Sequence, residues 1–317
     1  MTTEIILLIL GIALLILCAE WLVSGSSSLA RRFKLSDLTI GLTIVAFGTS
    51  SPEMVVNLFA STSHHQDIVF GNILGSNNFN LYVILGIAGL IYPLKVQIST
   101  VWKEIPMSFI ALILMFMMVN IPFGGHRMLG RIDGIIMLLL FMLFQYYIYH
   151  QIKNYDPEHA VHTNPGPLWK TIAFIVAGLA GLVIGGRLVV SNAVLIAKAM
   201  GVSEKIIGLT IIAAGTSLPE LATSAVAAWK KNPDIAVGNI IGSNIFNILL
   251  IGGLVSVINP VEYNPLFNTD FYVLAVGTIL LFISMFTSQK QKLDRWEAAM
   301  LLLLYAGYTS WLIMKEV

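Results

Sequence analysis

Two glutamates stand where a hydrophobic chain has little reason to hold them. Glu53 closes the stretch GTSSPE, residues 48–53, and Glu220 closes GTSLPE, residues 215–220. Both stretches lie in runs apolar enough for lipid. Pro52 has no N–H to give the carbonyl of Gly48, and Pro219 withholds one from Gly215. The two glycines weaken the same turns. A freed carbonyl in hydrocarbon must be met by protein or ligand. Thr49, Ser50, Thr216 and Ser217 add hydroxyl oxygens beside it. An oxygen-only group of this kind suits hard cations such as Ca2+ or Na+, not zinc or copper. A carboxylate inside a membrane is a functional candidate by default. Two of them balance one Ca2+, or nearly balance two or three Na+. Without a cation between them they repel, so competition by protons is expected.

A second doubled motif follows each of these. GNILGSNNFN, residues 71–80, matches GNIIGSNIFN, residues 238–247. Gly71, Gly75, Gly238 and Gly242 have the small-xxx-small spacing of close helix contacts. Ser76 and Asn80 are four apart and share a helix face, as do Ser243 and Asn247. Asn80 and Asn247 offer a cation neutral carbonyl oxygens. Asn72, Asn77, Asn239 and Asn244 read equally well as helix-to-helix hydrogen bonds or as ligands. Ser51 and Asn78 have no polar match in the other copy, which favours a local structural role.

The elements that must carry these residues are membrane helices. The chain has 317 residues, is 57% hydrophobic and only 11% charged, against about 25% charged in a soluble domain. A span needs about 20 mostly apolar residues. Ten are predicted, at about 4–24, 37–61, 68–92, 103–120, 131–150, 169–194, 204–229, 234–258, 270–287 and 295–314. The fold class is therefore all-α, a polytopic membrane protein. Its first span reads as retained, not as a cleaved signal. The net charge of +1 says nothing about a partner, but there is no basic tract for nucleic acid, and none is expected as a partner. The single cysteine, Cys18, excludes an intramolecular disulfide and a Cys/His metal cluster.

A polar stretch rich in Pro, Asn and His divides the chain. Residues 1–150 form one five-span half, 151–168 a linker, and 169–317 the second half. Shifted by 167, residues 20–80 lie on 187–247 without a gap, and 26 of 61 positions are identical. The repeated motif regions are 37–85 and 204–252. Lys and Arg divide 12 to 6 in favour of the linker side. That side is expected to be cytoplasmic, with both termini outside. Five spans is an odd number, so the second half enters upside down. Inverted repeats with paired broken spans point to a transporter whose site lies at the bilayer midplane. The helices expected to be broken are spans two, three, seven and eight.

The paired GTS(S/L)PE and GSNxFN motifs closely resemble the α-repeats of sodium/calcium exchangers, in the cation/calcium antiporter superfamily. The ten-span inverted pattern resembles its prokaryotic members, which implies a prokaryotic inner or cell membrane. The resemblance covers essentially the whole chain and implies four cation positions among spans two, three, seven and eight. It implies that Glu53 and Glu220 hold Ca2+ with the backbone carbonyls of Thr49 and Thr216. It further implies one Na+ position from Ala46, Ser50 and Ser76, and a mirrored one from Ala213, Ser217 and Ser243. Asn80 would line the middle. Asn247 stands where some archaeal and potassium-dependent members carry aspartate, which argues against potassium co-transport. The implied activity is antiport of Na+ against Ca2+, three to one and hence electrogenic. The implied mechanism is alternating access, with the first and sixth spans sliding over a fixed core.

No cofactor is expected; Na+ and Ca2+ are the transported substrates, with H+ and Sr2+ as further candidate ions. The nearest alternative is a proton-driven Ca2+ antiporter, whose relatives carry GNxxE-like motifs where Thr–Ser stands twice here. An intramembrane hydrolase could use two carboxylates, but no asymmetric nucleophile–base pair accompanies them, so the chain is not read as an enzyme. Glu20 and Arg187 align in the two copies and read as snorkelling end residues. His64, His65, His159 and His162 read as solvated. Tyr146, Tyr147, Tyr149, Trp102, Trp169 and Trp311 fit an aromatic belt.

Overall fold

The computed structural model describes residues 2–62, 66–121, 127–153, 167–201, 213–287 and 291–316. Among these, eight helices are long and apolar enough to cross a membrane, or nine if a bent pair counts as one. The bent pair is the second span, Asp37–Thr49 with Ser51–Thr62, turned by 45° at Ser50. The seventh expected span begins outside the described residues. Its described part is Ala213–Gly215 followed by Leu218–Trp229.

The third and eighth spans, Gln66–Ile91 and Pro233–Ile258, form the centre. Their most apolar windows are 78% and 83% buried, whereas no other unbroken span exceeds 39%. Both were expected to be broken; each instead runs as one span of 26 residues through a wide π-helical turn, Phe79–Ile84 and Phe246–Ile251. The expected glycine contacts hold in one half. A Cβ on Gly238 would meet the Leu38 carbonyl at 2.9 Å, and one on Gly242 would meet the Ala46 Cβ at 2.7 Å. In the other half, among the described residues, the nearest atoms to such a Cβ are 3.6 Å away for Gly71, and nothing lies within 4 Å for Gly75.

The first and sixth spans, Thr2–Phe33 and Leu168–Ala199, have 32 residues each. At 1.5 Å per residue each is about 48 Å long, well beyond the ~30 Å hydrocarbon core. They pack side by side through small residues. A Cβ on Gly178 would lie 2.9 Å from both the Cys18 carbonyl and the Leu22 nitrogen. One on Gly11 would lie 3.1 Å from the Gly185 carbonyl, and the reverse distance is also 3.1 Å. The outer faces, with Ile5, Ile9, Ile16 and Val176 exposed, are apolar enough for lipid.

Two short antiparallel ties close the ends of the bundle. Leu94–Lys95 pairs with Lys292–Leu293, and Met128–Leu129 pairs with Val261–Glu262. Leu94, Leu293, Leu129 and Val261 are all buried there.

Candidate functional site

The two breaks build the site. Ser50 leaves the helix at φ −82° and ψ 3°, and Ser217 at φ −91° and ψ 8°. Helix resumes at once at Ser51 and Leu218, with Pro52 and Pro219 second in line, where a helix start needs no N–H partner. Glu53 and Glu220 follow in the first turn and are completely buried. The breaks face each other. Ser50 Oγ donates to Glu220 Oε1 at 2.9 Å, and Ser217 Oγ donates to Glu53 Oε1 at 3.2 Å. These are one contact made twice under the repeat. The two carboxyls therefore lie at one seam, each hydrogen-bonded by the opposite half's broken span.

The central spans complete the cage. The π turn that holds Asn80 packs against Leu218–Trp229, and the one that holds Asn247 packs against Ser51–Thr62. Each turn that carries a cage asparagine therefore packs on the helix that carries the other half's glutamate. Ser76, Asn80, Ser243 and Asn247 are all buried.

Among the described residues, six buried oxygens in this group have no hydrogen-bond partner: Glu53 Oε2, Glu220 Oε2, Ser76 Oγ, Ser243 Oγ, Asn80 Oδ1 and Asn247 Oδ1. They fall into three pairs, each pair related by the same shift of 167. Leaving a buried oxygen unmet costs about 1–3 kcal/mol, and Ca2+ takes about six to eight oxygens. The donor set fits a hard cation in number and kind. No group of three or more acidic, His or Cys side chains occurs among the described residues, so the cage charge comes from two carboxylates.

Thr49 and Thr216 turn their hydroxyls to asparagines. Thr49 Oγ1 donates to Asn239 Oδ1 at 3.0 Å, and Asn72 Nδ2 donates to Thr216 Oγ1 at 3.2 Å. The Ala46 carbonyl accepts the Ser50 N–H at 3.0 Å. Ala213 opens the short helix Ala213–Gly215, and its side chain lies outside the described set. Ser51 donates to the Phe47 carbonyl one turn back, and Asn78 to the Asp270 carbonyl of the ninth span. Both are structural contacts, as the unmatched positions suggested.

Sequence reasoning missed Asn57 and Ser224. Asn57 Nδ2 donates to Asn72 Oδ1 at 2.6 Å, and Asn239 Nδ2 donates to Ser224 Oγ at 3.0 Å. The two positions match under the repeat but hold different residues, so a comparison by identity passed over them. Polarity at both positions was the available signal.

Three other expectations are corrected or left aside. Tyr147 does not belong to an aromatic belt: its hydroxyl donates to Glu104, a buried carboxylate of the fourth span. Trp102, Tyr146, Tyr149, Trp169 and Trp311 are exposed as a belt requires. Glu20 is more than a snorkelling end residue, because it pairs with Lys230 at 3.0 Å. His64, His65, His159 and His162 lie outside the described residues.

The halves differ in what covers them. The first span packs along Leu218–Trp229, and Thr223 there is fully buried. Its counterpart Val56 is 36% exposed, and nearby Phe59 is 70% exposed.

With this geometry in hand, comparison with known proteins is specific. The family model described as sodium/calcium exchanger protein matches residues 3–150 and 170–314. A putative antiporter, CaxA, of Alkalimonas amylolytica is 37% identical over 97% of this chain and 98% of its own. The sodium/calcium exchanger MaX1 of Methanosarcina acetivorans is 29% identical over 97% of each. A solved structure of the sodium-calcium exchanger NCX_Mj, soaked with 2.5 mM Na+ and 0.1 mM Ca2+, matches with a TM-score of 0.81. It is 31% identical and covers 96% of each chain.

Proposed function

This chain belongs to the sodium/calcium exchanger family, and on that premise we propose that its cage exchanges Na+ for Ca2+ by alternating access. One observation carries the reading: six unmet oxygens, in three repeat-related pairs, surround two carboxylates. Glu53 and Glu220 supply the charge for Ca2+, with the carbonyls of Thr49 and Thr216. Ser50 and Ser76 with the Ala46 carbonyl form one Na+ position. Ser217 and Ser243 with the Ala213 carbonyl form the other, and Asn80 and Asn247 add neutral oxygens at the centre.

Coupling follows from charge. Na+ and Ca2+ compete for the same two carboxylates. An ion-free or half-filled cage is charged, and sealing it beneath apolar helices is costly. A filled cage is nearly neutral and can be covered. The long first and sixth spans, packed on each other, slide as one body over the core. Three Na+ against one Ca2+ moves one net charge per cycle. The side left open at Val56 and Phe59 faces outward, and the linker faces the cytoplasm. Residues 1–150 and 169–317 are the two inverted halves.

The test is Ca2+ uptake by proteoliposomes under an imposed Na+ gradient, with proton gradients collapsed and the membrane potential clamped at several values. Uptake that needs Na+ and scales with potential is the expected result. Uptake that ignores Na+, or that appears only once a proton gradient is restored, overturns the Na+ coupling.

A further inference from the structure

Asn77 and Asn244 lie beside the cage asparagines, and both are buried. A side-chain amide has one donor end and one acceptor end. A main-chain carbonyl can only accept. Asn77 Nδ2 donates to the Asn244 carbonyl at 3.3 Å, and Asn244 Nδ2 donates to the Asn77 carbonyl at 3.5 Å. These carbonyls decide which way each amide turns, since reversal would set oxygen against oxygen. The acceptor ends then meet the cage residues. Asn77 Oδ1 accepts from Asn247 Nδ2 at 3.1 Å, and Asn244 Oδ1 accepts from Asn80 Nδ2 at 3.1 Å. The NH2 ends of Asn80 and Asn247 are thereby turned to Asn244 and Asn77. Their oxygens are the ends left buried and unmet.

We propose that Asn77 and Asn244 are positioning residues that hold the amides of Asn247 and Asn80 with oxygen, not NH2, turned to the transported cation. The inference deepens the exchange reading and rests on its assignment of the cage. Its physical basis is that an amide is a cation ligand in only one of two orientations. Turned over, it presents partially positive hydrogens to the ion. A carboxylate presents oxygen either way and needs no such control. A cage built with two asparagines therefore depends on whatever orients them, and the orientation traces back to two backbone carbonyls that cannot flip.

The test is Ca2+ titration calorimetry on the purified full chain in detergent, with exchange in proteoliposomes measured in parallel. Asn77→Ala is expected to weaken Ca2+ binding about tenfold, the scale of one orienting hydrogen bond to a ligand. In an Asn247→Asp background the same substitution is expected to change the Kd less than about twofold, because aspartate needs no orienting. An Asn80→Asp background should give no such protection. Asn244→Ala should show the converse, protected by Asn80→Asp and not by Asn247→Asp. If Asn77→Ala does not fold, the Asn244→Ala series asks the same question in the other half. An unchanged Kd, or an equal loss in all backgrounds, overturns the proposal. A wild-type chain that binds Ca2+ but does not exchange it for Na+ overturns the exchange reading and leaves this inference standing on its own titrations.

Discussion

Ser50 of the second span gives its hydroxyl proton to Glu220 of the seventh across 2.9 Å. The contact passes from one half of the chain to the other, and Ser217 returns it to Glu53 at 3.2 Å. Each hydroxyl serves the opposite half's carboxylate. Neither broken span makes the contact without the other.

The serines should therefore behave as a matched pair. Ser50→Ala and Ser217→Ala are each expected to weaken Na+-dependent exchange about five- to tenfold, since a hydrogen bond is worth about 1 kcal/mol and more to a charged group. Threonine at either position keeps the hydroxyl and should cost less. Na+ dependence of Ca2+ flux measures this, and a large difference between the two alanine variants would break the symmetry argument.

The carboxylates should be far less tolerant. Glu53→Gln or Glu220→Gln removes half of the charge facing the ion. Losing one partner of a buried charge pair costs about 3–5 kcal/mol, so Ca2+ flux should fall on the order of 100-fold or more. Circular dichroism should show the helices intact, because neither substitution changes the side chain's shape.

Packing between the first and sixth spans gives a stability test. A Cβ on Gly181 would lie 2.1 Å from Cys18 Sγ, whereas one on Gly178 would meet backbone atoms at 2.9 Å. Overpacking costs about 1–3 kcal/mol. Gly181→Ala should lower the thermal midpoint, and Cys18→Ala should recover much of the loss by removing the obstructing sulfur. Gly178→Ala should lower it too, without rescue, because a main chain cannot be trimmed.

The turn that follows the seventh span separates a weak contact from a strong one. Lys230 pairs with Glu20, but the two side chains are 30% and 54% exposed. Such a pair is worth about 0–1 kcal/mol, so Lys230→Gln should barely move the midpoint. Asn232 does more. Its Oδ1 accepts the Ile235 N–H at 3.2 Å, capping the eighth span, while its Nδ2 donates to Asp37 at 2.7 Å and Ser27 at 3.1 Å. Asn232→Ala should cost about 1–2 kcal/mol, visible as a midpoint several degrees below that of Lys230→Gln.

Much of this molecule was legible before any coordinates. Pro52, Pro219, Glu53 and Glu220 lie in apolar runs, and few physical readings suit a helix breaker and a carboxylate there. The 167-residue shift then paired every one of them. Composition and run length account for the membrane class and for the spans. The π turns at Phe79–Ile84 and Phe246–Ile251 left no such trace, because one extra residue in a helical turn leaves the surrounding apolar pattern intact. Tyr147 misled because a tyrosine near a span end looks the same whether it meets lipid or Glu104.

The sequence by itself determined the repeated motifs, the breaks of the second and seventh spans and the kinds of atom beside them, since backbone chemistry and hydropathy act locally along the chain. Only the tertiary structure decided which oxygens stay open. Asn80 meets Asn244, Asn247 meets Asn77, and Thr49 meets Asn239, each across the interface between halves. Whether an amide or hydroxyl is spent on protein or left for an ion depends on angstrom-scale positions of atoms far apart in sequence, and local residue pattern carries no record of those positions.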